Sequence, residues 1–214
     1  MNICRPFLSG RSASLAALAI CTALTLGLAF PAAAQTLRWT SQGDAQTMDP
    51  HSQNELLTNS MNGQVYERLT TRGKNLEILP SLALSWENPS PLLWRFKLRQ
   101  GVKFHDGSPF TADDVVFSIK RGQEPTSTIA QYANAVGEPV KVDDFTVEFR
   151  LANFNPIFLQ HLDTLWIMSR SWSEKNRVLK PLDFKNREET FAAMNANGTG
   201  PFILVSRQPG TRTT

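Results

Sequence analysis

The chain has 214 residues, with 22 Lys+Arg against 19 Asp+Glu and a formal net charge of +3 at pH 7. Arg5 and Arg11 supply two of those excess charges, so residues 35–214 are close to neutral and hold no basic stretch of the kind that grips nucleic acid. Both cysteines, Cys4 and Cys21, also precede residue 35, which excludes a disulfide framework and thiolate chemistry for the rest.

Residues 1–34 read as an export signal. A basic start is followed by the apolar run 15–30 and then by Pro31-Ala32-Ala33-Ala34-Gln35. These are the positive, apolar and small-x-small parts of a secretory leader, with cleavage expected after Ala34. The apolar run is shorter than the ~20 residues a membrane span needs, which weighs against an uncleaved anchor. Ile20 before Cys21 is bulkier than a lipidation site takes. An exported chain without cysteine suits an oxidising compartment.

Residues 36–40 read as a short strand, with Leu37 and Trp39 alternating with Arg38 and Thr40. Trp39 is expected in the core. Met48-Asp49-Pro50-His51 breaks that strand, because Pro50 drives its predecessor toward extended backbone. Leu57, Met61, Val65 and Leu69 recur every four residues and predict a helix over 54–69, capped by Asn54, with Glu55 in its first turn. Gly73 lies just beyond, and residues 80–86 form a compact apolar segment.

Residues 93–98 predict a strand, with Trp94, Phe96 and Leu98 on one face and Arg95 and Lys97 on the other. Gln100-Gly101 and Asp106-Gly107 are turn pairs. Thr111 should start a helix by accepting from first-turn amides, with Asp113 and Asp114 at its positive end. Val115, Val116, Phe117 and Ile119 form its buried side. Lys120 and Arg121 suit its negative end, and Gly122 stops it. Residues 140–151 predict a hairpin turning at Asp143-Asp144. Short helices are expected at 156–161 and 186–195, the second closed near Gly198. Ile203-Leu204-Val205 predicts a strand and Pro209-Gly210 a turn. The partner strand would barely begin at 211–214, so the chain reads as an N-terminal fragment cut inside a hairpin.

Several blocks occur in a telling order. They are Met48-Asp49-Pro50-His51, Val65-Tyr66-Glu67-Arg68-Leu69, Leu79-Pro80-Ser81-Leu82-Ala83-Leu84-Ser85-Trp86, residues 98–121, and Gly198-Thr199-Gly200-Pro201-Phe202. In order and spacing the chain resembles extracellular solute-binding protein family 5, the peptide-type binding proteins of ABC importers. The block 99–121 carries most of the specificity. One departure stands between Trp86 and Trp94, where Pro89 and Pro91 replace a flexible polar turn.

The resemblance implies an α/β, periplasmic-binding-protein-like two-lobe fold with an inserted small α+β domain, only its N-terminal part being present. By that analogy residues 35–53 open the first lobe, 54–194 form the inserted domain and 195–214 return to the lobe. It implies a periplasmic, monomeric protein that closes on a peptide or related solute and hands it to a permease and ATPase in the inner membrane. It implies no catalysis and no cofactor. Candidate ligand contacts are Gln53, Asn54, Glu55, Tyr132, Gly198, Thr199 and Gly200. Glu55 either faces a peptide amine or belongs to the helix end; Tyr132 either meets the ligand backbone or is a loop tyrosine.

Two other functions compete. His105-Asp106 with Asp113-Asp114 has the residue types of a metal-dependent hydrolase. The same residues also have turn and capping chemistry, and no Gly-x-Ser-x-Gly elbow or phosphate-cradling glycine loop occurs. A sensory binding protein that signals to a receptor shares the fold of an importer component.

Overall fold

The computed structural model describes residues 40–214. The leader lies outside them, as does the strand expected at 36–40 with Trp39, apart from Thr40. In chain order the elements are α1 (Leu56–Val65), β1 (Thr70–Arg72), β2 (Ile78–Pro80), β3 (Ala83–Ser90), β4 (Leu93–Leu98), α2 (Ala112–Gly122), α3 (Ala130–Ala135), β5 (Glu138–Asp143), β6 (Thr146–Arg150), α4 (Phe158–Leu162), α5 (Arg170–Lys175), α6 (Phe191–Met194), β7 (Arg207–Gln208) and β8 (Arg212–Thr213).

The two strands with the cleanest alternation become the inner pair of a four-stranded antiparallel sheet, ordered β3-β4-β6-β5. Phe96, Leu98, Val147 and Phe149 point to one face and pack against Val115 and Ile119 of α2, Ala133 of α3, and Phe158 and Leu162 of α4. Trp94 stacks on Phe158 with ring centres 4.8 Å apart, and Phe96 meets Phe149 edge-on at 5.5 Å. Each fully buried phenylalanine contributes roughly 1.5–3 kcal/mol by leaving water. On the opposite face Arg95 bridges Glu87 and Glu148, at 3.0 and 2.6 Å, across three strands. Those strand pairs put Glu87 opposite Arg95 and Arg95 opposite Glu148, so the charges alternate along the ladder.

The prolines between Trp86 and Trp94 do not break the hairpin. Pro91 and Leu92 make its turn, and Pro89 sits in β3, an edge strand that can spare an amide. The register slips between Glu87 and Ser90, where that amide is missing.

Several expected boundaries move for tertiary reasons. Helix α1 ends at Val65, short of Leu69, because neighbours claim its last carbonyls. Gly200 N–H donates to the Val65 oxygen at 2.9 Å and Phe202 N–H to the Gln64 oxygen at 3.0 Å. Its buried positions are Thr58, Asn62 and Val65, so the expected stripe is only partly the inward one. The helix expected at 186–195 shrinks to Phe191–Met194, and α3 and α5 form where no helix was expected.

Ile203-Leu204-Val205 does not form the expected strand; only the Val205 amide bonds across, to the Thr214 carbonyl at 2.8 Å. The hairpin forms later, with Arg207 opposite Thr213 and Gln208 opposite Arg212. Among the described residues no helix is long and apolar enough to cross a membrane.

Candidate functional site

The segment carrying Gln53, Asn54 and Glu55 is positioned by the residues just before it. Asp49 accepts two hydrogen bonds from Arg121 of α2, at 2.6 and 2.8 Å, and both side chains are fully buried. Arg121 also donates to the carbonyls of Val178 and Lys180 and to Nδ1 of His51. That arrangement leaves His51 Nε2 to donate to the Trp166 carbonyl at 3.0 Å. Arg121 therefore does not sit at a solvated helix end, as its sequence position suggested; it ties three segments together. Burial would raise the Asp49 carboxyl, but the charge and hydrogen bonds of Arg121 outweigh it and hold it at about 2. Burial and the Arg121 charge push His51 down to about 4, against the pull of Asp49. The pair is ionised and the imidazole neutral at pH 7.

Beyond this latch, Glu55 rather than Asn54 caps α1. Its carboxylate accepts from Leu57 N–H at 2.9 Å and from Thr58 N–H at 2.5 Å. Burial opposes ionisation there, and the Thr58 and Leu57 hydrogen bonds outweigh it, lowering the Glu55 pKa. Both oxygens are thus engaged in the helix end. Asn54 is free of that duty, and its Oδ1 accepts from the Asn59 amide at 2.9 Å.

Asn54 and Asn59 stand on the rim of an open cleft of about 380 Å³, with Arg68, Thr71, Arg72, Asp163, Thr164 and Trp166. Asp163 is buried and anchors the cleft. Its carboxylate accepts from Arg68 at 3.3 Å and from Arg72 at 2.5 Å. The Arg68 guanidinium carbon sits over the Trp166 ring, 3.7 Å from its centre. That contact and the pair with Asp163 fix its position. Burial lowers the Arg68 pKa, while Asp163 opposes the shift. Two guanidinium charges against one carboxylate leave the cleft with one net positive charge.

The structure does not gather all the expected contacts there. Gln53 is half-buried beside the cleft segment. Tyr132 lies on α3, half-buried against the main core, its ring 5.9 Å from His161. Its approach loop does reach the latch, since Thr128 N–H and the Ser127 hydroxyl donate to the His51 carbonyl. Gly198 and Gly200 press on the end of α1, where an added Cβ would overlap the Val65 carbonyl. Thr199 lies between them, its hydroxyl oxygen buried and without a partner among the described residues.

The residues considered for metal chemistry hold structural positions. His105 binds the Gly200 carbonyl through Nε2 at 2.8 Å, and its amide donates to the Gly198 carbonyl. Asp106 accepts from Ser108 within its own turn. Asp113 pairs with Lys141 on β5. Asp114 reaches back to the Thr111 amide at 2.8 Å and also takes the Arg170 amide, which closes a capping box with Thr111 as the N-cap. Among the described residues no three His, Cys, Asp or Glu side chains converge as a metal site.

Arg68, Arg72, Asp163 and Trp166 carry the cleft, and sequence reasoning missed all four. The available signal was Arg68 within the Val65–Leu69 block. Asp163 and Trp166 lie too far along the chain for spacing to connect them.

The fold is that of the periplasmic binding proteins. One solved example is the binding protein MoaA of A. tumefaciens R10 in complex with mannopinic acid. It superposes with a TM-score of 0.66 at 29% identity, over 80% of this chain and 34% of that one. Residues 77–214 match the model of the bacterial extracellular solute-binding proteins, family 5, and the chain belongs to that family. The dipeptide-binding protein of Escherichia coli K12 is 31% identical over 206 residues, covering 84% of this chain and 37% of that protein. Heme-binding protein A of Haemophilus influenzae is 33% identical over 168 residues, covering 69% and 30%. The chain thus spans about a third of the length of these relatives.

Proposed function

We propose that the chain belongs to the periplasmic solute-binding component of an ABC importer, which captures a peptide or related small solute and passes it to a membrane permease and ATPase. The family match over residues 77–214 carries this reading. The leader features of residues 1–34 support export to the periplasm. On the same reading, residues 35–53 open the first lobe, 54–194 form the inserted domain and 195–214 return to the lobe. Asn54, with Gln53 beside it, supplies ligand contacts on one wall. Tyr132 and the Gly198-Thr199-Gly200 turn supply further contacts from outside that cleft. Glu55 serves it indirectly, by fixing the start of α1.

The relatives named above are described with a dipeptide, with heme and with mannopinic acid, so membership alone leaves the solute unchosen. Capture without chemistry requires only that the solute prefer the closed state of the protein. A chain that spans a third of its relatives offers fewer contacts, and millimolar affinity, about −4 kcal/mol, is expected of it alone. The test is a thermal-shift panel of dipeptides, opines and heme on the purified chain, with mass spectrometry of the solute afterwards. One solute class should raise the unfolding midpoint and be recovered intact. Conversion of any of them to product would overturn the proposal.

A further inference from the structure

Two cavities stand out among the described residues. One, of about 390 Å³, is lined by Glu174, Arg177, Lys180 and Glu188 among others, and its charges balance. The cleft of Asn54, Arg68, Arg72, Asp163 and Trp166 does not balance, and its excess is positive. We infer that this cleft takes a single carboxylate of the solute, held by Arg72 against the Arg68–Trp166 floor. The inference rests on the solute-binding reading above and narrows its ligand to anions with one carboxylate at this wall.

Three observations carry it. Arg72 spends only its Nε–H on Asp163, and its two terminal nitrogens make no other hydrogen bond among the described residues. A guanidinium with that edge free matches a carboxylate in a two-bond fork. Arg68 Nε is buried and finds no acceptor among the described residues, so the floor holds a further unused donor. The Asn54 and Asn59 amides and the Thr71 hydroxyl line the same space and can bond the solute next to its charge, while the Thr164 hydroxyl already donates to the His161 carbonyl. Asp163 uses both oxygens on the two arginines, which sets their planes and limits the excess to one charge.

The test compares succinate with its neutral diamide, succinamide, on the full chain at constant ionic strength. NMR follows the Trp166 indole and the arginine Nε–H signals. Succinate should shift them saturably and succinamide should not. Arg72→Gln should weaken succinate about tenfold, as loss of a charged hydrogen-bonding partner does, and Arg72→Lys should recover part of that loss. Equal saturation by both compounds would overturn the carboxylate assignment and leave the solute-binding reading standing. Saturation by neither, or an unchanged response in Arg72→Gln, would overturn the site itself, while the thermal-shift panel judges the wider function separately.

Discussion

A neutral histidine held between an ionised aspartate and an arginine makes the latch sensitive to acid. Unfolded His51 takes a proton near pH 6.5, whereas the folded residue resists until about 4. Across that window the unfolded chain binds more protons, so stability falls as pH drops, by on the order of 3 kcal/mol. Asp49 adds a second loss lower down, from its ordinary value of 3.8 to about 2, as its ion pair with Arg121 is protonated away. Urea unfolding between pH 7 and 4 should show the first loss, and His51→Gln should flatten that part of the profile. An equally steep profile in His51→Gln would place the acid sensitivity elsewhere. At this scale the sequence was half legible. Asp49-Pro50-His51 stood out as a motif, but nothing in a helix ending Lys120-Arg121 says which of the two basic side chains turns inward.

Among the elements, strands were easier to read than helix ends. Alternation over residues 93–98 and 146–150 follows from a sheet with one face on the core, and it survives whatever packs there. Helix limits depend on who claims the terminal carbonyls. The end of α1 is set by Gly200 and Phe202, far along the chain, and α5 has no marked apolar period of its own. The close approach at that helix end gives a direct test. Gly198→Ala puts a methyl group against the Val65 carbonyl and the Tyr66 backbone, neither of which can swing aside. It should cost about 1–3 kcal/mol, as overpacking does, seen as a lower thermal midpoint.

Over the whole of Ser41–Thr214, one compact unit, the apolar surface is unevenly kept from water. Phe202, Ile203 and Val205 are 54–76% exposed, while Leu204 between them packs on the cluster of Met48, Tyr66 and Trp166. Changing the exposed pair, Ile203→Ser with Val205→Ser, should shift unfolding free energy by less than about 0.5 kcal/mol per site. Light scattering should show aggregation beginning at a higher protein concentration. A large loss of stability would mean that those side chains pack in solution. The cleft belongs to this scale too. Asn54, Arg68, Asp163 and Trp166 meet only after the sheet, α1 and α4 have assembled, so no local pattern announces it.

The earliest described segment is fastened by the latest ones. Asp44 takes the Gly210 amide and pairs with Arg207, and Asp49 takes Arg121 and the Leu182 amide. Contacts of such separation close slowly, because a long loop must be ordered before any of them forms. As the polypeptide emerges from the ribosome, residues 44–51 have nothing to hold until their distant partners follow. Residues 44–51 therefore take their final place no earlier than those partners do.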